Sequence, residues 1–173
     1  GTRFTPHHKV VAYYQHVASV MSNVTTQRYG QTNELRPLMV NMISSQENMD
    51  KLEQIRTDNL KRTGMMEGEP SGDNIGIVWM SYNVHGNEAN STETAMKTLF
   101  ELANPNHTAS KDWLKNTVVI LDPCINPDGR DRYANWINQV AGTTANPSRD
   151  AKEHREPWPG GRANHYLFDL NRD

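Results

Sequence analysis

His85 and Glu88 stand three residues apart in His85-Gly86-Asn87-Glu88, an imidazole and a carboxylate close enough in the chain to face one point. Ile75 to Tyr82, just before them, reads as a buried strand. Ser91 to Ala103, just after, reads as an amphipathic helix. A His at a strand end and a Glu at the next helix start can converge. Both are zinc ligands, and catalytic zinc sites commonly join two His and one Glu to a water. Taken alone, His-x-x-Glu is also the start of an ordinary helix with a surface Glu and a structural His. Two later segments give the pair weight: Asn126-Pro127-Asp128-Gly129 and Asp169-Leu170-Asn171-Arg172.

These segments, in this order, resemble the zinc carboxypeptidase family, the carboxypeptidase A-like metallopeptidases. Tyr29 to Leu38 resembles the same family's early hairpin, with Leu35 where that pattern has Gly before Arg36. The resemblance runs from about residue 5 to the last residue. It implies His85 and Glu88 as zinc ligands, and Asp169 as the carboxylate that receives the other ring N–H of His85. Such a partner fixes the tautomer of a ligating His. Asn171 and Arg172 match the pair that holds the substrate's C-terminal carboxylate, for which a planar guanidinium is well shaped. Arg162, in Gly160-Gly161-Arg162, is the candidate for stabilising the oxyanion, with Arg155 as the alternative. Asn126 and Asp128 are expected to shape the floor of the cleft rather than react. Tyr133, Trp136 and Trp158 either line a pocket or pack.

The elements that must position these residues follow from spacing. Thr5-Pro6 opens a helix with Val10, Tyr13, Tyr14, Val17, Val20 and Met21 at helical intervals. Thr25–Tyr29 and Pro37–Ile43 read as two strands, and Glu47 to about Leu60 as a helix after Ser44-Ser45. Asn90 with Glu93 resembles a capping pair. Thr117–Asp122 is a near-continuous apolar strand of the kind covered on both faces. Asp128-Gly129 reads as a turn, Ala141–Arg162 as a long loop, and Tyr166–Leu170 as the start of a further strand. The alternation predicts an α/β fold, and the resemblance implies a three-layer sandwich with a mixed, mostly parallel sheet. All 173 residues are assigned to one N-terminal portion of such a catalytic domain.

Composition narrows the classes. There are 18 basic and 20 acidic residues and no basic stripe, so no nucleic-acid partner is indicated. No apolar run is long enough to span a membrane. Cys124 is the single cysteine, so no internal disulfide forms. A secreted or periplasmic location is expected.

The resemblance also implies a third ligand, a His beyond the Asn-Arg motif, and a general-base Glu further on; neither matches a position here. His154 or His165 is the candidate substitute ligand. The expected function is a zinc-dependent carboxypeptidase acting on peptides with a free C-terminal carboxylate, the 173 residues alone being inactive. The expected partner surface is self-association through a sheet edge left uncovered. Two other classes fit some of the motifs: an amidohydrolase of the aspartoacylase or succinylglutamate desuccinylase type, and a non-catalytic module that binds peptide C-termini. Asn126-Pro-Asp-Gly129 and residues 5 to 43 favour the peptidase over the first. Intact His85, Glu88 and Asp169 speak against the second.

Overall fold

The computed structural model describes residues 3–173. Helix α1 (His7–Val20) leads into the hairpin β1 (Val24–Gln31) and β2 (Pro37–Ile43), then two short helices, α2 (Gln46–Met49) and α3 (Leu52–Arg62). Strand β3 (Gly76–Ser81) is followed by α4 (Asn90–Ala103), α5 (Thr108–Leu114), β4 (Thr117–Asp122) and α6 (Pro127–Val140). A 3-10 turn at Lys152–His154 is the last regular element.

The four strands form one sheet in the order β1-β2-β4-β3. β1–β2 and β2–β4 pair antiparallel, and β3–β4 pair parallel from Gly76↔Thr117 to Ser81↔Asp122. The sheet is mixed, as the sequence predicts, although one pairing in three is parallel here. Side chains alternate across it with the strand period of two. Met39, Ile43, Val119 and Leu121 join one buried cluster with Val10, Tyr14 and Val17 of α1 and Leu99 and Ala103 of α4. Val40, Met42, Val118 and Ile120 share a groove with Leu52 and Ile55 of α3. Helices, sheet and α3 thus make an α/β sandwich.

Several elements differ from the sequence expectation. β3 is a strand but not a buried one. It forms the sheet's edge, with Val78 46% and Trp79 62% exposed, because no element among the described residues pairs with its outer side. The predicted helix from Glu47 to Leu60 is split at Asp50-Lys51. Ser45 caps Asn48, and the Asn48 amide donates to Leu114 O and Lys115 O, so α2 is anchored to the α5–β4 turn. Asp128-Gly129 is not a turn but the first turn of α6. Asn126 caps it by accepting from the Gly129 amide, and Pro127 sits at its first position. Tyr166–Leu170 forms no strand: Asn164 Oδ1 accepts from the amides of Tyr166 and Phe168, and Leu167 has φ +67°.

Two helix starts also differ from the sequence reading. Pro6, not Thr5, holds the N-cap position of α1, and Ala89 that of α4. Both Thr5 and Glu93 are committed to each other instead. Glu93 accepts from the Thr5 amide at 2.7 Å and from its hydroxyl at 2.9 Å. In the β1–β2 loop, Leu35 adopts φ +63°, a conformation that favours glycine. That is the position where the resembled pattern has Gly.

Candidate metal and substrate site

The site is assembled where β3 and β4 end. After β3, Asn83 takes φ +60° and its side-chain amide donates to His85 O at 2.6 Å. Its carbonyl oxygen accepts from Thr92 Oγ1 of α4, so the strand-to-helix loop is tied to the helix it feeds. His85 is buried at 6% exposure. Its Nδ1 lies 3.2 Å from Glu88 Oε1 and its Nε2 lies 2.9 Å from Asp169 Oδ1. A proton on Nε2, donated to Asp169, leaves the Nδ1 lone pair facing Glu88. This is the tautomer a metal ligand needs.

Asp169 is held from three sides. Besides His85, the Asn171 amide donates to Oδ1 at 3.1 Å and Arg162 Nε donates to Oδ2 at 2.8 Å. Burial pushes its carboxyl up, but the Asn171 amide, His85 and Arg162 outweigh that and hold it at about 2. It is therefore an anion across the neutral pH range. Arg162 is anchored by this bond, while its terminal nitrogens meet no acceptor among the described residues. Arg155, the alternative, pairs with Asp150 in the exposed loop. Asn171 and Arg172 are exposed, and Arg172 Nη1 donates only to Asn171 O.

Three glycines, of which the sequence singles out only Gly129 and that as a turn residue, press these loops together. A Cβ on Gly86 would lie 2.2 Å from Arg130 N and Gly129 C and 2.3 Å from Gly161 O. One on Gly129 would meet Gly161 O and Ala163 O at 2.4 Å, and one on Gly161 would meet Gly129 O at 2.6 Å. The His85 loop, the start of α6 and the Arg162 loop thus touch backbone to backbone. Asn126 Nδ2 adds bonds to Val84 O at 3.1 Å and Arg162 O at 3.2 Å, which fits its expected shaping role. Beneath them Arg130 is fully buried, donating to Thr5 O at 2.6 Å and Glu93 Oε1 at 2.8 Å. The signal for this packing was in the sequence only as glycines beside each motif.

His85 and Glu88 fit two positions of a metal site. Among the described residues no third His, Cys, Asp or Glu joins them with its ligand atom within 4.8 Å. His154 Nε2 is bonded to Asn146 O, and His165 Nδ1 to Glu34 Oε1. Neither reaches the pair. His165 does cluster with Glu34 and Asp128, but Arg36 Nη1 sits 2.5 Å from Glu34 and 2.8 Å from Asp128 and answers their charge.

Comparison with known proteins places the fold. In three dimensions the chain is similar to carboxypeptidase A from Helicoverpa armigera, with TM-score 0.55, 22% identity, and coverage of 83% of this chain and 31% of that one. A putative carboxypeptidase A from Shewanella denitrificans gives TM-score 0.55, 17% identity, and coverage of 87% and 35%. A metallo-carboxypeptidase from Burkholderia cenocepacia gives TM-score 0.54, 15% identity, and coverage of 73% and 28%. The chain thus spans about a third of the length of these structures, and at such identities they show the fold. No curated protein sequence matches it. The family model for zinc carboxypeptidases matches residues 10–173, so the chain belongs to the zinc carboxypeptidase family.

Proposed function

We propose that this chain carries half of the reaction centre of a zinc-dependent carboxypeptidase, which hydrolyses the peptide bond next to a substrate's free C-terminal carboxylate. The observation that carries the reading is the His85 ring, held at Nε2 by Asp169 with Nδ1 turned to Glu88. His85 Nδ1 and Glu88 would hold a zinc ion, which when bound would supply Lewis acidity toward a water and the scissile carbonyl. Asp169 keeps the His85 proton on Nε2 and the Nδ1 lone pair free. Arg162, fixed through Nε, presents its remaining N–H groups to developing negative charge at the carbonyl oxygen. Asn171 and Arg172 receive the terminal carboxylate, Arg172 through its two-pronged fork.

Two protein ligands bind zinc weakly, and no residue here is assigned as general base. The 173 residues alone are therefore proposed to turn over peptides very slowly. The family match supports this reading over the amidohydrolase one. A secreted or periplasmic location belongs to the same proposal.

Calorimetric titration of the metal-stripped chain with zinc tests the assignment. Weak one-to-one binding is expected, weakened about tenfold or more by His85→Ala. Tight binding would place a third ligand within these residues. An isotherm indifferent to the substitution would remove His85 from the site.

A further inference from the structure

We infer that Glu156 is a positioning residue for the metal pair, its carboxylate clamping the His85–Glu88 loop to the loop that carries Arg162. The inference rests on reading His85 and Glu88 as metal ligands. Glu156 Oε2 accepts from Asn87 Nδ2 at 3.1 Å, and Asn87 lies between the two ligands. Its Oε1 accepts from the amide of Gly161, the residue before Arg162. One side chain thus reaches Asn87, 69 positions away, and Gly161 on the other loop.

The clamp falls beside the one ligand that side-chain contacts leave nearly unsupported. Glu88 has no side-chain partner among the described residues except His85, so its carboxylate is aimed by its backbone. That backbone is a tight turn, with the Glu88 amide donating to His85 O at 3.1 Å. A displacement of Asn87 would therefore move Glu88 relative to His85 Nδ1. The direct link between the loops, Gly86 amide to Arg162 O, is long at 3.4 Å. From the far side, Arg132 holds the Arg162 loop by donating to Gly160 O at 3.0 Å and Asn164 O at 3.1 Å. A carboxylate suits the central place because its two oxygens accept from two donors at once. A Gln has one acceptor oxygen and would leave one donor unserved.

The test compares the chain with Glu156→Ala, Asn87→Ala and the double variant. Zinc alone is titrated while the His85 ring resonances are followed by NMR. Amide hydrogen exchange at Gly86 is measured separately without metal. Each single substitution is expected to weaken zinc binding about tenfold, as outer partners of metal ligands do. The double variant should be no weaker than the weaker single, because both remove one clamp. Gly86 exchange should quicken in all three, with the urea midpoint little changed, and Glu156→Gln should fall between. Unchanged zinc affinity in Glu156→Ala, or factors that multiply in the double variant, would overturn the inference. If the unaltered chain shows no zinc response at His85, the metal reading fails on its own. Gly86 exchange then decides the clamp, and unquickened exchange in Glu156→Ala overturns it.

Discussion

The loops around Gly86 and the segment from Tyr166 to Arg172 meet at the His85–Asp169 bond, yet they are built in opposite ways. At Gly86 three loops touch with no room for a Cβ, and Arg130 beneath them is wholly buried. From Tyr166 onward the chain exposes Tyr166, Leu167, Phe168 and Leu170 at 43% or more. The sheet repeats the contrast. β4 has Val118, Val119 and Leu121 buried, while its parallel neighbour β3 has Val78 and Trp79 open. The closed region fixes His85 by its own packing. The open region displays the proposed carboxylate-binding residues with few contacts to hold them.

The largest effect should come from filling the closed region. Gly86→Ala places a methyl 2.2 Å from two backbone atoms at the start of α6, where no side chain can swing aside. The cost should be about 3 kcal/mol, the upper end of ordinary overpacking, read as a fall in the urea midpoint. Gly76→Ala is the matched control in β3, where the new Cβ meets Asn116 O at 3.6 Å. It should be neutral or stabilising by up to about 1 kcal/mol, since it relieves the entropy cost of a strand glycine. Equal costs at both positions would erase the distinction between the regions.

A middle effect is expected at β3. Its outer edge is unpaired among the described residues, and Gly76-Ile-Val-Trp-Met-Ser81 holds no charge, no proline and no bulge. Natural edges usually carry such guards. We propose that this edge is where copies of the chain associate. Light scattering at high concentration should show mass above that of the monomer, reduced by Trp79→Lys. Burial of the Trp79 ring would contribute about 2 kcal/mol to that contact. A clean monomer would mean the open edge is not adhesive.

What the sequence reveals follows the same division. The strands and the helices α1 and α4 are readable from their apolar runs and spacing, while α5 and α6 are not. Burial is not, since β3 and β4 are equally apolar and only their neighbours distinguish them. α6 carries a readable start in Asn126 and Pro127, but Asp128-Gly129 carries the stronger turn signal. Gly129 is tolerated in the helix because Gly86 and Gly161 pack against it. His85, Glu88, Asp169 and Arg162 are legible from motif order, and the structure brings them together. Glu156 and Arg130 are not legible. Glu156 reaches Asn87 over 69 positions and Arg130 reaches Glu93 over 37, and one charged residue in a polar segment looks like any other.

The smallest effect on stability should be at Arg172. Its side chain is exposed and donates only to the carbonyl of Asn171, a neighbour it would meet in the unfolded chain as well. Arg172→Ala should therefore change the urea midpoint by no more than about 0.5 kcal/mol. Ligand binding should respond differently. NMR titration with a short peptide bearing a free C-terminal carboxylate should weaken about tenfold in Arg172→Ala. Arg172→Lys should recover only part of this, because an ammonium restores the charge without the fork. A stability loss well above about 1 kcal/mol, against the small change expected at an exposed site, would show that Arg172 supports the fold, so the segment would not be open. Unchanged stability with unchanged peptide binding would leave the segment open but take the carboxylate-binding role from Arg172. Only the split between the two measurements, stable but weak-binding, matches a residue presented for a substrate rather than spent on the fold.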